Sequence, residues 1–217
     1  MKNFLQKITD AFLSLILPKS AAVRLLEATT PDELLQNLPP ARPLSDTQTA
    51  LFDYKDEQVK TLIWEIKYRG NHKLTETAAT LLYDAILADF AERTLFGKIG
   101  SPLLVPIPAS RERMRKQGFN QCERLVREIA KLDNGVHFTP ALALSKVAQT
   151  KRQSHMKKKV ERLANLRDSF IADASLVRGQ TVILIDDVIT TGTTVAEATR
   201  ALKNAGAKKV YVYALAH

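Results

Sequence analysis

The chain has 217 residues, of which 45% are hydrophobic and 25% charged, an ordinary balance for a folded globular protein. This composition excludes a disordered tail, a collagen-like repeat and a disulfide-stapled miniprotein, and the length allows one or two domains. The formal net charge of +9 favours anionic partners such as phosphorylated metabolites, nucleic acid or acidic lipid headgroups. A single cysteine, Cys122, allows neither an intramolecular disulfide nor a cysteine-based zinc site, and we interpret it as a structural thiol.

Two helices are predicted near the N-terminus. The first is an amphipathic helix that ends at Pro18, and its apolar face consists of Phe4, Leu5, Ile8, Phe12, Leu15 and Ile16. The second begins near Pro31, where Thr30 can cap the first turn and the two acids that follow Pro31 suit the helix dipole.

A proline-rich stretch at residues 38–44 is the predicted linker. We therefore divide the chain into a helical N-terminal arm, residues 1–45, and a main domain, residues 46–217. The arm has two interpretations: it packs on its own domain or on a second copy of the chain, or it docks on a partner or a membrane surface. No apolar run reaches the roughly 18 residues that a membrane span needs. We expect a cytoplasmic protein, peripheral to the membrane if the arm lies on lipid.

Helices and strands alternate in the main domain. Helices are predicted at residues 59–66, 75–95, 119–132 and 195–205, and strands at residues 103–105, 181–185 and 209–215. The strand at 181–185 is β-branched and continuously apolar, which is typical of a central parallel strand. Strand, helix and strand at the C-terminal end make a βαβ unit. The predicted fold class is therefore α/β, with a mainly parallel sheet flanked by helices.

The segment at residues 182–194 carries the strongest functional pattern. Its strand delivers Asp186 and Asp187 at the carboxyl end, the edge where open α/β sheets bind ligands. A loop rich in hydroxyls then opens a helix, whose first N–H groups suit a phosphate. This loop consists of Thr190, Thr191, Gly192, Thr193 and Thr194.

Acceptors and donors are separated along this segment. Carboxylates accept hydrogen bonds and pair with the vicinal hydroxyls of a sugar, whereas the loop donates to a phosphate. The pattern therefore predicts a ribose 5-phosphate site. The alternative is that the acids and threonines only cap the loop and the helix. Neither a P-loop nor a dinucleotide glycine motif occurs in the chain.

The same segment resembles the phosphoribosyl pyrophosphate (PRPP) motif of type I phosphoribosyltransferases: four apolar residues, two acids, two variable residues and Thr-Thr-Gly-Thr-Thr. The resemblance implies that Asp186 and Asp187 are catalytic and hold the ribose hydroxyls, while residues 190–194 hold the 5-phosphate. It also implies a type I phosphoribosyltransferase-like fold and Mg²⁺ bound together with PRPP, with no metal held by the protein alone.

Further segments resemble the ComF family of competence-associated, phosphoribosyltransferase-like proteins, from about residue 52 to the C-terminus. They lie at residues 66–70, 105–108, 113–121, 150–153 and 162–165, followed by Phe170. Typical members begin with a cysteine-rich zinc ribbon, whereas this chain has no cysteine before Cys122. The chain is therefore similar to a ComF variant in which the arm replaces the ribbon, and no role of the ribbon carries over.

The ComF resemblance also implies roles outside the PRPP motif. The pyrophosphate side of the ligand is expected to lie near Pro106, Ile107, Pro108, Lys67 and Arg113. Arg115 is expected to be catalytic, because a cation stabilises the charge that builds on the leaving pyrophosphate. A region that closes over the site is expected to contain Thr150, Gln153, Arg162 and Asn165.

Basic residues crowd the stretches at 111–116 and 146–162. Three interpretations remain for them: closure over a bound anion, a solvated face, or contact with the phosphates of single-stranded nucleic acid. No aromatic residue interrupts the stretch at 146–162, which argues against base stacking there.

Two functions from different classes follow. The first is a phosphoribosyltransferase that transfers ribose 5-phosphate from PRPP to a nitrogen acceptor of unknown identity, releases pyrophosphate and is linked to DNA uptake. The second is a non-catalytic competence protein that binds single-stranded DNA or protein partners and keeps the pocket as a PRPP sensor or a relic. In either case the arm at residues 1–45 is a candidate for self-association.

Overall fold

The computed structural model describes residues 19–94, 100–147 and 169–217. In these ranges the strands are β1 (Gln48–Phe52), β2 (Leu103–Pro106), β3 (Thr139–Pro140), β4 (Leu144–Lys146), β5 (Phe170–Ala172), β6 (Thr181–Val188) and β7 (Lys209–Ala216). Five of them form one sheet in the order β1-β7-β6-β2-β3, and each neighbouring pair is parallel. The strands β4 and β5 form a separate antiparallel pair. The expected α/β class with a mainly parallel sheet is confirmed.

The helices in the same ranges are α1 (Ala21–Ala28), α2 (Pro31–Asn37), α3 (Glu57–Trp64), α4 (His72–Thr94), α5 (Arg111–Gln117), α6 (Gln121–Asp133), α7 (Ala174–Val177) and α8 (Thr193–Asn204). A π-helical turn, Glu65–Arg69, continues α3. The predicted helices correspond to α2, α3, α4, α6 and α8, and Thr30 caps α2 in a capping box with Glu33. The helices α1, α5 and α7 were not predicted from the sequence.

The central strand β6 separates two apolar layers, because successive side chains of a strand point to opposite faces. Ile183 and Ile185 pack with α3, α4 and α6 on one face. Val182 and Leu184 pack with α8 on the other. Both faces are covered, which explains the continuous apolar run. The layering brings the carboxyl ends of β2 and β6 to one edge of the sheet.

The described part of the N-terminal arm packs on the main domain. Leu26 of α1 and Leu34 of α2 are buried in the same cluster as α3 and α4. The proline-rich stretch at 38–44 runs beside β1, where Ala41 N donates to Leu51 O at 3.0 Å. The core is therefore continuous across residue 45.

The amphipathic helix predicted to end at Pro18 lies outside the described residues, and its role in self-association stays a prediction. The division into an arm and a main domain also stays a prediction. None of the helices described here is both long and apolar enough to cross a membrane.

Gly70 ends the π-helical turn in a left-handed conformation, with φ of +61°. Its carbonyl oxygen accepts a hydrogen bond from Arg124 Nη1 at 3.2 Å, and the Arg124 guanidinium lies 3.7 Å from the centroid of the Phe119 ring. A Cβ atom at position 70 would lie 2.5 Å from Arg124 Nη1 and 3.1 Å from the Phe119 ring. Glycine is therefore required for both the backbone conformation and the close approach.

We expect Gly70→Ala to lower the free energy of unfolding by about 2–4 kcal/mol, since left-handed strain of about 1–2 kcal/mol combines with displacement of Arg124. Gly135→Ala is the matched control, because Gly135 has φ of +75° but nothing within 4 Å of an added Cβ. Chemical denaturation of both variants measures the difference. Equal losses would show that the contact with Arg124 contributes nothing.

Candidate functional site

Both acids of the motif lie inside β6 rather than after it. The apolar run ends at Ile185, but β6 stays paired with β7 as far as Val188. The sheet and its covering helices bury the acids, so that Asp186 is 6% exposed and Asp187 4% exposed. Two neighbouring carboxyl groups are thus removed from water, and their charges need compensation.

Asp187 is held by three donors. Val188 N donates to Oδ1 at 3.0 Å, and Oδ2 accepts from Lys67 Nζ at 2.9 Å and from Gln121 Nε2 at 3.0 Å. Lys67 lies in the middle of the π-helical turn. Burial works against the charge of Lys67, but the attraction of Asp187 and the hydrogen bond to it outweigh burial, so the Lys67 pKa is raised. Lys67 is therefore a charged partner for this carboxylate.

Asp186 has a different environment. Its Oδ1 accepts from Asp187 N at 2.9 Å and from Cys122 Sγ at 3.7 Å. Burial, together with the charge of Asp187, raises the pKa of Asp186 from 3.8 to about 8. Asp186 therefore keeps a proton at neutral pH. Burial and then the two acids also raise the pKa of the Cys122 thiol well above its usual range, so Cys122 is not a thiolate nucleophile.

The threonine-rich loop joins β6 to α8. Gly192 adopts φ of +72° directly before α8, a conformation that L side chains rarely take. The hydroxyls of Thr191 and Thr193 lie 2.9 Å apart, while Thr190, Thr191 and Thr194 are exposed. Together with the first N–H groups of this 12-residue helix, the loop offers the donors that a phosphate needs.

The turn after β2 borders the acids. Pro106 ends β2 beside Ile185 of β6. Ile107 N donates to Ile185 O at 2.9 Å, and Asn120 Nδ2 donates to Ile107 O at 3.0 Å. Pro108 follows and is half-buried. This turn therefore forms one wall of the same sheet edge.

Three cations interact electrostatically at this edge of the sheet: Lys67, Arg113 and Lys146. The charge of Arg113 opposes protonation of both lysines. The Lys146 pKa is lowered mainly by burial and then by Arg113, while Asp186 opposes the shift. Arg115 is exposed and lies two positions from Arg113 on α5, where the two side chains do not share a face. Arg113, expected on the pyrophosphate side, acts electrostatically on both lysines, and the catalytic role expected of Arg115 stays a prediction.

The residues expected to close over the site, Thr150, Gln153, Arg162 and Asn165, lie outside the described residues, and their roles stay predictions. The two ends of that segment are described. Lys146 pairs with Phe170 in the antiparallel ladder, and its Nζ lies 5.3 Å from the centroid of the Phe170 ring. Both ends of the segment therefore meet beside the acids.

One cluster has donor atoms close enough to share a metal ion. Cys122 Sγ and one oxygen from each of Asp186 and Asp187 lie within 4.8 Å of one another. However, Lys67 already pairs with Asp187 at 2.9 Å, and the thiol keeps its proton. The cluster does not fit a metal ion bound by the protein alone. The expectation that Mg²⁺ binds together with PRPP stays a prediction.

Two features are not expected from the sequence. Gln121 contacts Asp187, although no local pattern indicates it. Trp64 and Tyr68 are 46% and 52% exposed, their ring centroids lie 5.8 Å apart, and the Arg69 guanidinium lies 5.2 Å from the Trp64 ring centroid. The i, i+4 spacing of the two rings is the signal that indicates a shared face.

Comparison with known proteins supports the same fold. Residues 120–217 match the phosphoribosyl transferase domain family. Competence protein ComFC of Bacillus subtilis is 33% identical over 160 residues, covering 72% of this chain and 58% of that protein. Competence protein F of Haemophilus influenzae is 30% identical over 162 residues, covering 74% of this chain and 68% of that protein.

A structure of glutamine PRPP amidotransferase from B. subtilis is 17% identical with a TM-score of 0.45, covering 70% of this chain and 30% of that chain. This score is too low to carry an argument. The alignment with ComFC spans little more than half the length of that relative. The alignment with competence protein F covers more than two thirds of that protein at 30% identity, and it shows that the chain belongs to the ComF family.

Proposed function

We propose that this protein binds PRPP and transfers its ribose 5-phosphate to a nitrogen acceptor, releasing pyrophosphate. The observation that carries the proposal is the meeting of three kinds of groups at one sheet edge. Buried acids lie near the carboxyl end of β6, a threonine-rich loop opens α8, and the cations Lys67, Arg113 and Lys146 interact with one another at this edge. The match to the phosphoribosyl transferase domain supports it.

The polarity of these groups suits the parts of PRPP. Phosphate oxygens only accept hydrogen bonds, so the 5-phosphate lies on the loop at 190–194 and the start of α8. Ribose hydroxyls donate, so they face the acids. The pyrophosphate then lies along the turn after β2, near Arg113 and Lys146. These two cations repel each other, and an anion between them removes the repulsion.

The transfer breaks the bond between ribose C1 and the pyrophosphate oxygen, and the electron pair leaves with pyrophosphate. A C1–N bond forms, and the acceptor nitrogen gives up a proton. Arg113, rather than Arg115, stabilises the leaving charge together with Lys146, and the carboxylate of Asp187 stabilises the positive charge on the ring. If Mg²⁺ binds together with PRPP, Asp186 would hold the ion after losing its proton, and the ion would neutralise charge on the pyrophosphate.

A second candidate function, binding of single-stranded DNA, is favoured by the aromatic pair formed by the end of α3 and the π-helical turn. Trp64 and Tyr68 offer exposed faces for base stacking, and Arg69 adds a cation for the backbone. Relatives of this chain are named competence proteins and DNA utilization proteins. We propose that any role in DNA uptake uses this surface and does not require the acids.

Asp187→Asn is expected to weaken PRPP binding at least about tenfold, because a neutral amide cannot replace the carboxylate that pairs with Lys67. Arg113→Gln and Lys146→Met are expected to weaken binding of PRPP much more than binding of ribose 5-phosphate, which lacks the pyrophosphate. Calorimetric titration in magnesium measures these affinities. Glu92→Gln, an exposed position on α4, makes the same charge change and should leave them unaltered.

A folded wild-type protein that binds neither PRPP nor ribose 5-phosphate would refute the proposed site. Pyrophosphate release with ammonia and with free nucleobases then separates transfer from sensing. Binding without release for every acceptor would support the sensor function and refute transfer.

Asp186→Asn is expected to stabilise the fold at pH 8. The raised pKa keeps Asp186 protonated in the folded chain between about pH 4 and 8, where the unfolded chain has lost that proton. The free energy of unfolding of the wild type therefore falls as pH rises through this window. The variant lacks this loss, and its advantage of about 1–3 kcal/mol at pH 8 should shrink toward pH 5. Melting curves between pH 5 and 8 measure the gap, and a constant gap contradicts the assignment.

Trp64 is the only tryptophan of the chain, so its fluorescence reports directly on the aromatic pair. Titration with a single-stranded oligonucleotide is expected to quench this emission in a salt-dependent manner, both in the wild type and in Asp187→Asn. Tyr68→Ala should weaken binding by about 1–3 kcal/mol through lost stacking. Tyr54→Ala, another exposed tyrosine, is the control. No quenching at low salt would exclude this surface as the DNA site.

A further inference from the structure

The first turn of α6 contacts three segments of the site: the turn after β2, the acids of β6 and the end of the π-helical turn. The PRPP contacts proposed above give no role to the side chains of this turn. Its contacts run from Asn120 to the turn after β2, from Gln121 to Asp187, from Cys122 to Asp186 and from Arg124 to Gly70. Among these side chains, Gln121 has a property that the other three lack.

Gln121 keeps an acceptor without a partner. The side chain is 2% exposed, and its Nε2 donates to Asp187 Oδ2 at 3.0 Å. This bond sets the orientation of the amide, because the carbonyl oxygen would be repelled by the carboxylate. Gln121 Oε1 is buried and has no hydrogen-bond partner within the described ranges. A buried, unpaired acceptor destabilises a fold, so its retention beside Asp187 calls for a donor.

The proposed sugar supplies such donors. A carboxylate has about four acceptor sites, and Asp187 already uses three of them for Val188, Lys67 and Gln121. Vicinal hydroxyls bring two donors to this place. The carbonyl oxygen of Gln121 is therefore an additional acceptor, attached to the group that holds Asp187.

We propose that Gln121 is a specificity-determining residue of the ribose site, whose Oε1 accepts a hydrogen bond from one of the vicinal hydroxyls. This inference rests on the proposed function, because it needs a ribose phosphate at the acids. The amide then has two contacts at once: Nε2 donates to Asp187, and Oε1 accepts from the sugar.

Lys67 and the Gln121 amide share one oxygen of Asp187. Lys67 Nζ lies 2.9 Å from Asp187 Oδ2, and Gln121 Nε2 lies 3.0 Å from the same oxygen. The side chain of Lys67 is 17% exposed, while Asp187 and Gln121 are more deeply buried. A sugar hydroxyl on Gln121 Oε1 therefore binds next to this ion pair.

A sugar without the matching hydroxyl leaves Oε1 unpaired. A site built to accept a hydrogen bond from a hydroxyl discriminates strongly against the analogue that lacks it. The wild type is therefore expected to bind ribose 5-phosphate at least about tenfold more tightly than one of its two deoxy analogues, 2-deoxy or 3-deoxy.

Gln121→Met tests the proposal, because methionine keeps the length of the side chain and its helix propensity but has no amide. Calorimetric titration with ribose 5-phosphate and both deoxy analogues gives two affinity ratios for each protein. In Gln121→Met the large ratio is expected to fall about tenfold. Gln117→Met is the matched control, because Gln117 Oε1 is also buried without a partner in the described part of the chain, and its ratios should not change.

The outcomes separate this inference from the proposed function. If Gln121 has a purely structural role, Gln121→Met weakens binding of all three sugars equally and leaves both affinity ratios unchanged. That result overturns the inference but not the proposed ribose site. A wild type that binds the three sugars equally overturns it as well. A folded wild type that binds none of them overturns the proposed function too.

A measurement on the wild type covers the case in which Gln121→Met does not fold. The side-chain amide signals of Gln121 can be followed by NMR, with assignment by selective glutamine labelling. Ribose 5-phosphate is expected to shift them, and the discriminated deoxy analogue is expected to shift them much less at equal saturation. Equal shifts for both sugars overturn the proposal.

Discussion

The pairing of Asp187 with Lys67 is the contact on which the site depends. Two adjacent carboxyl groups lie within a central strand and are nearly fully buried. Both cannot carry charge there without a large desolvation cost. The structure meets this constraint with one proton on Asp186 and one ammonium on Asp187. The charges of Asp187 and Lys67 then cancel. Binding of a charged ligand or loss of the Asp186 proton changes the net charge of the site.

The position of Lys67 follows from an irregular piece of helix. A π-helical turn continues the end of α3, and such turns are frequent at functional sites. Gly70 ends the turn, and Arg124 holds the carbonyl oxygen of Gly70 from α6. Trp64 at the end of α3 and Tyr68 on the turn are both exposed to solvent. One local distortion therefore serves both the buried ion pair and an exposed aromatic surface, which is why the two proposed functions share a border.

The stretch at 113–121 divides its tasks among neighbouring residues. Arg113 acts on the lysines of the site, Gly118 ends α5 with φ of +83°, and Phe119 stacks on Arg124. The next residue, Asn120, caps α6 through its Oδ1 and holds the turn after β2 through its Nδ2. The segment thus connects several elements of the site. In the proposed function, ligand binding offsets the free-energy cost of the unpaired Gln121 oxygen and of the repulsion between Arg113 and the lysines.

Local patterns in the sequence determined β6, α8, the parallel class and the acid–threonine segment, because periodicity, caps and a continuous apolar run are properties of neighbouring residues. The edge strand β1 escaped prediction because most of it is only half-buried. The electrostatic contacts of Arg113 with Lys67 and Lys146 also depend on the tertiary structure. The contact between Gln121 and Asp187 joins residues 66 positions apart, and only the packing of α6 against β6 brings them together. Protonation and partners depend on burial, and burial is a property of the tertiary structure.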